Sequence, residues 1–416
     1  MPPDRGPAVM RLLVFNAGSS SLKFEVIEFA AAGPARRLAE GSCNDSDGTG
    51  LLRWAATASS VDRPPARTHA EAAAQALDWL SSAAVHGHDL LATLDASAHR
   101  IVHGGARFRT TTLLGDAELG ALAGIASLAP LHNPPALAVI EAVRERIGSE
   151  RPLVGVFDTA YYADLPAAAH RYAVPPRWAD ELGVRRYGFH GIAHRYLCQR
   201  VRALHAQPTA GLRIIGLQLG RGCSVTATRG DRAAATSMGF TPVEGLVMGT
   251  RSGDIDAGAV LYAMERTGAS IDAVRRALNE QSGLLGLSGR TADMRELLEL
   301  ERAGDAGAAL AIECFCRRAR HYVGGYLAEL GGVDAIVFGG GIGENCAAIR
   351  RRIVDSLQWS GICLEPGANE AALAVEAAIH AESSRAAVYV VPVNEAHVIA
   401  SEAAALLRQG AAGGLG

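Results

Sequence analysis

Apolar positions first gather in two short runs, Leu12–Phe15 and Leu22–Phe29, parted by the polar stretch Asn16-Ala17-Gly18-Ser19-Ser20-Ser21. Runs of this length bounded by turn residues predict two paired strands. The arrangement returns roughly 200 residues later, where Arg213–Leu219 and Cys223–Arg229 flank Gly220-Arg221-Gly222. Two such hairpins suggest a duplicated architecture with one hairpin in each half, although internal similarity is too weak to prove it. Between and after them the apolar spacing turns helical, predicting helices over Ala70–Ala83, Pro135–Ile147 and Ala306–Leu330. Asn133 is the expected cap of the second, with proline in its first turn. The third feeds a strand, Ala335–Phe338, after which Gly339-Gly340-Gly341-Ile342-Gly343-Glu344-Asn345 opens another helix. Strands alternating with helices predict α/β layers. The Gly/Ala-rich tail Gly410–Gly416 is expected to be unstructured.

Composition narrows the class. A chain of 416 residues predicts two or three domains, and 49% hydrophobic with 5% aromatic residues suits a large α/β core rich in Ala, Leu and Val. A net charge of -3 argues against nucleic acid or an anionic membrane as partner. Seven cysteines, at 43, 198, 223, 314, 316, 346 and 363, form no C-x-x-C and no metal-like quartet, which fits reduced thiols. No run reaches the roughly 20 apolar residues of a membrane span. Leu12–Phe15 is too short for a signal peptide, so a cytoplasmic protein is expected. The nine residues before Met10 read as an extension or an alternative start.

Candidate chemistry lies in the polar turns. Residues 237–256, SMGFTPVEGLVMGTRSGDID, surround Arg251 with Gly, Thr, Ser and Asp. A guanidinium so placed can clamp a carboxylate or phosphate with two parallel hydrogen bonds, while a plain surface arginine is the competing reading. In the first turn Ser19, Ser21 and Lys23 offer donors to a phosphate, and Asn16 could orient a metal-bound water or a substrate oxygen. Taken alone, that stretch is better explained as a simple hairpin turn. The spacing G-x-x-x-x-G-K-[ST] is absent, so this is not a Walker A loop. The glycine-rich opening at 339–345 offers free helix N–H groups to a nucleotide, or serves packing only. His190 and His194 have the i, i+4 spacing of a zinc pair, but Gly191 stands where the motif has glutamate, and zinc is rejected.

Eight segments together resemble the acetate kinase family, in family order over nearly the whole chain: 16–24 (NAGSSSLKF), 99–105 (HRIVHGG), 128–135 (LAPLHNPP), 156–160 (VFDTA), 187–194 (YGFHGIAH), 237–256, 338–345 (FGGGIGEN) and 393–395 (VNE). The resemblance implies two duplicated RNase H-like domains of the actin/Hsp70/sugar kinase type, with a nucleotide cleft between them, in a homodimer. The implied boundaries are 1–160 plus 396–416 for the acid-binding domain and 161–395 for the nucleotide domain. It implies reversible, direct in-line transfer of the ATP γ-phosphoryl group to acetate, giving acetyl phosphate and ADP with Mg²⁺ or Mn²⁺. Such chemistry needs alignment of two anions and charge neutralisation more than covalent help.

Carried over residue by residue, Arg100 and Arg251 match the active-site arginines, and His190 matches the histidine at the phosphoryl oxygens. His132 matches a supporting histidine; capping the Pro-Pro turn is its competing role. A strand-end surface charge is the alternative for Arg100, and the same doubt covers His99 and His103. Asp158 matches the aspartate that orients the acid or the metal's water shell, and Asn16 with Glu395 the sparse magnesium site. Asp293, Arg295, Gly341, Ile342 and Asn345 match nucleotide contacts. Val102, Leu131, Phe189 and Pro242 match the pocket for the acetate methyl, so propionate should be tolerated, since one methylene is discriminated by about 1–3 kcal/mol.

One turn departs from the pattern. Where the family reads HLGNG, this chain has Gln218-Leu219-Gly220-Arg221-Gly222. Gln218 cannot become a cation, and Arg221 adds a fork able to take two phosphate oxygens. Three readings follow: Arg221 compensates at the ATP phosphates, the donor shifts (for example to pyrophosphate), or transfer is weakened. An arginine turned to solvent is the bland fourth. A propionate or butyrate kinase is the enzymatic alternative. A sugar-responsive regulator is disfavoured because too few residues precede the first strand for a DNA-binding helix-turn-helix.

Overall fold

The computed structural model describes residues 9–18, 21–30, 34–44, 52–56, 59–63, 66–82, 89–205 and 210–413. Contacts divide them into two compact units, one up to Ala160 together with the segment from Asn394, the other Tyr161–Val393. The returning segment thus starts two residues before the expected Ala396, so Glu395 belongs to the first unit.

The first sheet has eight strands: β1 Met10–Ala17, β2 Ser21–Phe29, β3 Arg36–Asn44, β4 Leu52–Ala56, β5 Ser59–Arg63, β6 Ala96–Ile101, β7 Thr112–Leu113 and β8 Leu153–Phe157. Their order is β5-β4-β3-β2-β1-β6-β8-β7. The second has six: β9 Arg213–Leu219, β10 Cys223–Arg229, β11 Arg232–Thr236, β12 Ala335–Gly339, β13 Ala377–Ala378 and β14 Ala387–Val390, in the order β11-β10-β9-β12-β14-β13. Both share one plan. An antiparallel meander (β1-β2-β3; β9-β10-β11) is continued by two strands parallel to its first member (β6, β8; β12, β14) and closed by a short antiparallel edge. The duplication expected from the two hairpins is therefore present in the topology.

Burial follows from that plan. Strands covered on both faces read as unbroken apolar runs, and every residue of β8 and β12 is buried. In the first unit the helix His69–Leu80 buries Ala72, Ala73, Ala76, Leu77, Trp79 and Leu80. Its cap is Thr68, whose hydroxyl accepts from the Glu71 amide at 3.1 Å. In the second, Ala306–Leu330 runs from its cap Asp305 to Gly331 at φ 66°, matching the expected bounds. The helix Gly191–Leu204 packs on β9 and β12, and the helix Glu395–Gly413 on β1, β6 and β8. The latter corrects the expectation of an unstructured tail from Gly410. Gly410–Gly413 are helical because the Ala/Leu-rich pattern before them simply continues, while residues 414–416 lie outside the described residues. Among the described residues no helix is long and apolar enough to cross a membrane.

Candidate active site

In the first unit, parallel pairing brings the ends of β1, β6 and β8 side by side. Asn16 is in register with Arg100, and Asp158 directly follows β8. Arg100 Nε and Nη2 donate to Asp158 Oδ2 at 3.2 and 2.7 Å, and Nη1 donates to Asn16 Oδ1 at 2.9 Å. The Asn16 amide in turn donates to Glu395 Oε2 at 2.6 Å. Asp158 is fully buried, and the Arg100 side chain is only 12% exposed, which removes the reading of Arg100 as a surface charge. Burial pulls the Arg100 pKa down, but attraction to Asp158 and Glu395 and the hydrogen bonds to Asp158 outweigh it, leaving a locked cation.

The neighbouring histidines are structural. His99 is buried, stacks on Phe15 at 5.8 Å and meets Ser97 Oγ at 2.9 Å; burial lowers its pKa to about 3. His103 is buried too, with a pKa lowered to about 4 by the same cause. Asn133, expected as a helix cap, is instead the first residue of the helix Asn133–Ile147, and His132 occupies the cap position. The reason is that the Asn133 carboxamide is engaged elsewhere: it accepts from the His103 amide at 3.1 Å and donates to its carbonyl at 2.9 Å. His132 is partly buried and forms no side-chain cap. Val102 is buried, whereas Leu131 is 41% exposed. Ser21 is partly buried and Lys23 exposed, and Ser19 lies outside the described residues.

In the second unit most polar groups of the signature 237–256 hold the loop itself. Ser237 Oγ accepts from the Val225 amide at 2.9 Å, Thr250 Oγ1 donates to the Asn279 carbonyl at 2.8 Å, and Asp254 accepts from the Gly245 amide at 2.8 Å and from Tyr322. What remains is Arg251. Its guanidinium is partly buried, burial lowers its pKa, and it makes no side-chain hydrogen bond or ion pair among the described residues. A cation drawn partly out of water without a side-chain partner suits an anion.

Other groups gather beside it. A Cβ placed on Gly222 would stand 3.3 Å from Cε1 and Nε2 of His190 and 3.6 Å from Nη1 of Arg251. One on Gly220 would lie 3.8 Å from the Gly341 amide nitrogen. Thus the turn 220–222, His190, Arg251 and the glycine-rich opening 339–343 converge. Gly340 is required by its φ of 76° and by the Leu219 carbonyl, 2.6 Å from where a Cβ would sit. The Gln218 carboxamide packs on this turn, and its Oε1 is buried with no hydrogen-bond partner among the described residues. Arg221 is exposed; its carbonyl accepts from the Gly249 amide at 3.1 Å, while its guanidinium has no polar partner among the described residues. Asp293 caps the helix Met294–Arg302 and pairs with Arg295 at 2.8 Å, the Arg295 side chain remaining largely exposed. Asn345 Nδ2 donates to the Gly341 carbonyl at 3.0 Å, and Ile342 is partly buried. Phe189 is buried and Pro242 partly so. Among the described residues no three His, Cys, Asp or Glu side chains could hold a metal together.

Two further groups support the glycine turn. Glu344 Oε1 accepts from the amides of Gly340 and Val393 at 2.8 and 3.1 Å. Arg350, fully buried, donates to Asn369 Oδ1 and to the carbonyls of Gly343, Glu344, Asn369 and Ala372.

Two sheets of one plan, a locked arginine–carboxylate pair in one unit and a glycine-lined cationic site in the other define a phosphotransferase of the duplicated actin/Hsp70/sugar kinase class. Comparison with known proteins agrees. The Acetokinase family model matches residues 11–401. An acetate kinase of Chloroherpeton thalassium is 39% identical, the alignment covering 94% of this chain and 98% of that protein. The crystal structure of Porphyromonas gingivalis acetate kinase superposes with a TM-score of 0.85 at 34% identity, covering 96% of this chain and all of that one. A propionate kinase from Francisella tularensis gives 0.84, also at 34% identity, covering 94% and 98%. The chain belongs to the acetokinase family, whose members are phosphotransferases with a carboxyl group as acceptor.

Proposed function

We propose that this enzyme is an acetate kinase, transferring the γ-phosphoryl group of ATP in line to acetate. The observation that carries the reading is Arg251, a desolvated guanidinium with no partner among the described residues, beside His190 and two glycine turns. Arg251 neutralises charge on the transferring phosphoryl group and His190 donates an N–H to it, while the turns 220–222 and 339–343 receive the rest of the polyphosphate through backbone N–H groups. Arg100, fixed by Asp158 and Asn16, orients the acid, with Val102, Leu131, Phe189 and Pro242 around its methyl group. Asp293, Arg295, Gly341, Ile342 and Asn345 serve the nucleoside end; Ser19, Ser21 and Lys23 add donors, and His132 supports the acid side.

Glu395 and Asn16 suit magnesium. Asn16 Oδ1 already accepts from Arg100, which leaves the Glu395 carboxylate as the main protein ligand, and magnesium takes few carboxylates and keeps its waters. Bound there, the ion supplies charge neutralisation at the polyphosphate. Arg221 compensates for the missing family histidine at the donor phosphates. A second copy is the proposed partner: the helices Ala257–Thr267 and Ile271–Glu280 bury none of their residues, and Leu261, Tyr262 and Ile271 stand exposed on them. All seven cysteines are free, which supports a cytoplasmic setting. Propionate is the second acceptor to test, because the propionate kinase structure is as similar as the acetate kinase one.

The test is Arg251→Ala. Acyl phosphate formation, trapped as hydroxamate, should fall about 10²–10³-fold while the fold persists, the loss expected for one donor to a developing charge. An unchanged rate would contradict the assignment.

A further inference from the structure

His190 holds a backbone conformation that side chains rarely adopt, φ 58° and ψ 27°, at the residue preceding the helix Gly191–Leu204. Such a left-handed residue is strained and persists only where the surroundings over-determine it. Here the ring is fixed from behind. His190 Nδ1 lies 2.9 Å from Ser224 Oγ, and the same hydroxyl lies 2.8 Å from His194 Nε2. Ser224 is fully buried near the start of β10, and His194 is buried one helical turn beyond His190. The neighbouring strand makes room, for a Cβ on Gly216 would stand 3.1 Å from His194 Nδ1. The opposite edge of the His190 ring, Cε1 and Nε2, faces Gly222 on the side of Arg251.

A hydroxyl carries one proton, so of two imidazole nitrogens sharing it at most one can accept, and the other must donate its N–H to the oxygen. The edge of His190 that faces the anion site must carry an N–H, because a lone pair there would repel a phosphoryl oxygen. We propose that Ser224 and His194 are positioning residues that set the tautomer of His190: His194 Nε2–H donates to Ser224 Oγ, the Ser224 hydroxyl donates to His190 Nδ1, and the His190 proton therefore resides on Nε2. Burial, reinforced by His190, keeps His194 neutral, so the chain of hydrogen bonds has a fixed composition. This inference rests on the assignment of His190 to the transferring phosphoryl group.

The experiment compares Ser224→Ala, His194→Gln, His194→Met and His190→Asn in the full-length enzyme, with ¹⁵N-histidine spectra of the wild type. Expected are a wild-type His190 protonated on Nε2 and a kcat for Ser224→Ala lowered about tenfold or more, with KM for nucleotide and acid within about twofold. His194→Gln, whose amide keeps an N–H donor, should retain more activity than His194→Met. A wild-type spectrum with the proton on Nδ1 overturns the proposal irrespective of how the variants fold. So does a Ser224→Ala enzyme with unchanged kcat. If His190→Asn itself is fully active, the underlying assignment of His190 fails; if it is impaired while Ser224→Ala is not, the relay alone fails.

Discussion

Replacing Gly222 by alanine sets a single methyl group against the two side chains assigned to the phosphoryl group. The new Cβ would lie 3.6 Å from Arg251 Nη1, an ordinary contact, but 3.3 Å from two atoms of the His190 ring, which must then yield by a few tenths of an ångström. The ring cannot yield freely, because Nδ1 is tied to Ser224 at 2.9 Å. Gly222 is not among the positive-φ glycines, so alanine meets no backbone strain and gains about 0.4–1 kcal/mol by restricting the unfolded chain. That gain is comparable with the cost of the close contact, which keeps Tm within about 3 °C of the wild type. Catalysis has no such compensation. A displacement of a few tenths of an ångström costs severalfold, scaled from the roughly 10²-fold attached to 1 Å. Screening His190 Nε2 from the anion adds the loss of one charged hydrogen bond, about 1.5–3 kcal/mol. Together kcat should fall roughly 10²-fold with fold intact, while KM for the acid, oriented by Arg100 rather than by His190 or Arg251, stays within about twofold. Initial rates of hydroxamate formation and a thermal melt measure both quantities. A kcat within twofold of wild type would refute the reasoning, as would a loss of rate accompanied by an equal loss of stability.

Three other perturbations separate the remaining claims. Arg221→Asn should raise the apparent KM for ATP severalfold with kcat little changed; an unchanged KM contradicts its role at the phosphates. Mild acid should destabilise the fold through its buried histidines. His99 and His103 have folded pKa values lowered to about 3 and about 4, so below the unfolded value of 6.5 the unfolded chain binds protons that the folded one refuses. Stability present above pH 6.5 is therefore lost as pH falls toward 4, at up to about 1.4 kcal/mol per pH unit for each histidine. Urea midpoints at pH 7 and pH 5 check this, and equal midpoints contradict it. Arg350→Met removes the donors to four carbonyls and Asn369, and should cost about 3–5 kcal/mol while weakening nucleotide binding through the turn it supports. A melt within 2 °C of wild type contradicts that account.

What the chain revealed in advance depended on the range of each interaction. The hairpin Arg213–Leu219/Cys223–Arg229 and the helix Ala306–Leu330 were legible because local apolar spacing and a terminal glycine define them. Arg100, Asp158, Asn16 and Glu395 were named from motifs, and their mutual hydrogen bonds join four separate stretches of chain that the parallel register of β1, β6 and β8 and the helix packed on them bring together. Asn133 was misread as a cap because its type and its place before two prolines suit one, while its true partner, the His103 backbone, is 30 residues away. Ser224 and Arg350 escaped notice for the same reason. A serine in a strand and an arginine in a short amphipathic helix look ordinary until the distant groups they touch are known. Asp293 and Arg295, two residues apart, carried no local sign that they would satisfy each other.

The central claim is tested most directly by hydroxamate trapping with the purified enzyme, acetate and MgATP, with pyrophosphate replacing ATP in parallel and propionate replacing acetate. Acyl phosphate should form with acetate and ATP, propionate should be turned over to a graded extent, and pyrophosphate should give no product. Product from pyrophosphate alone would contradict the donor assignment and implicate Gln218 and Arg221, and no product from any pairing would contradict the assigned activity itself.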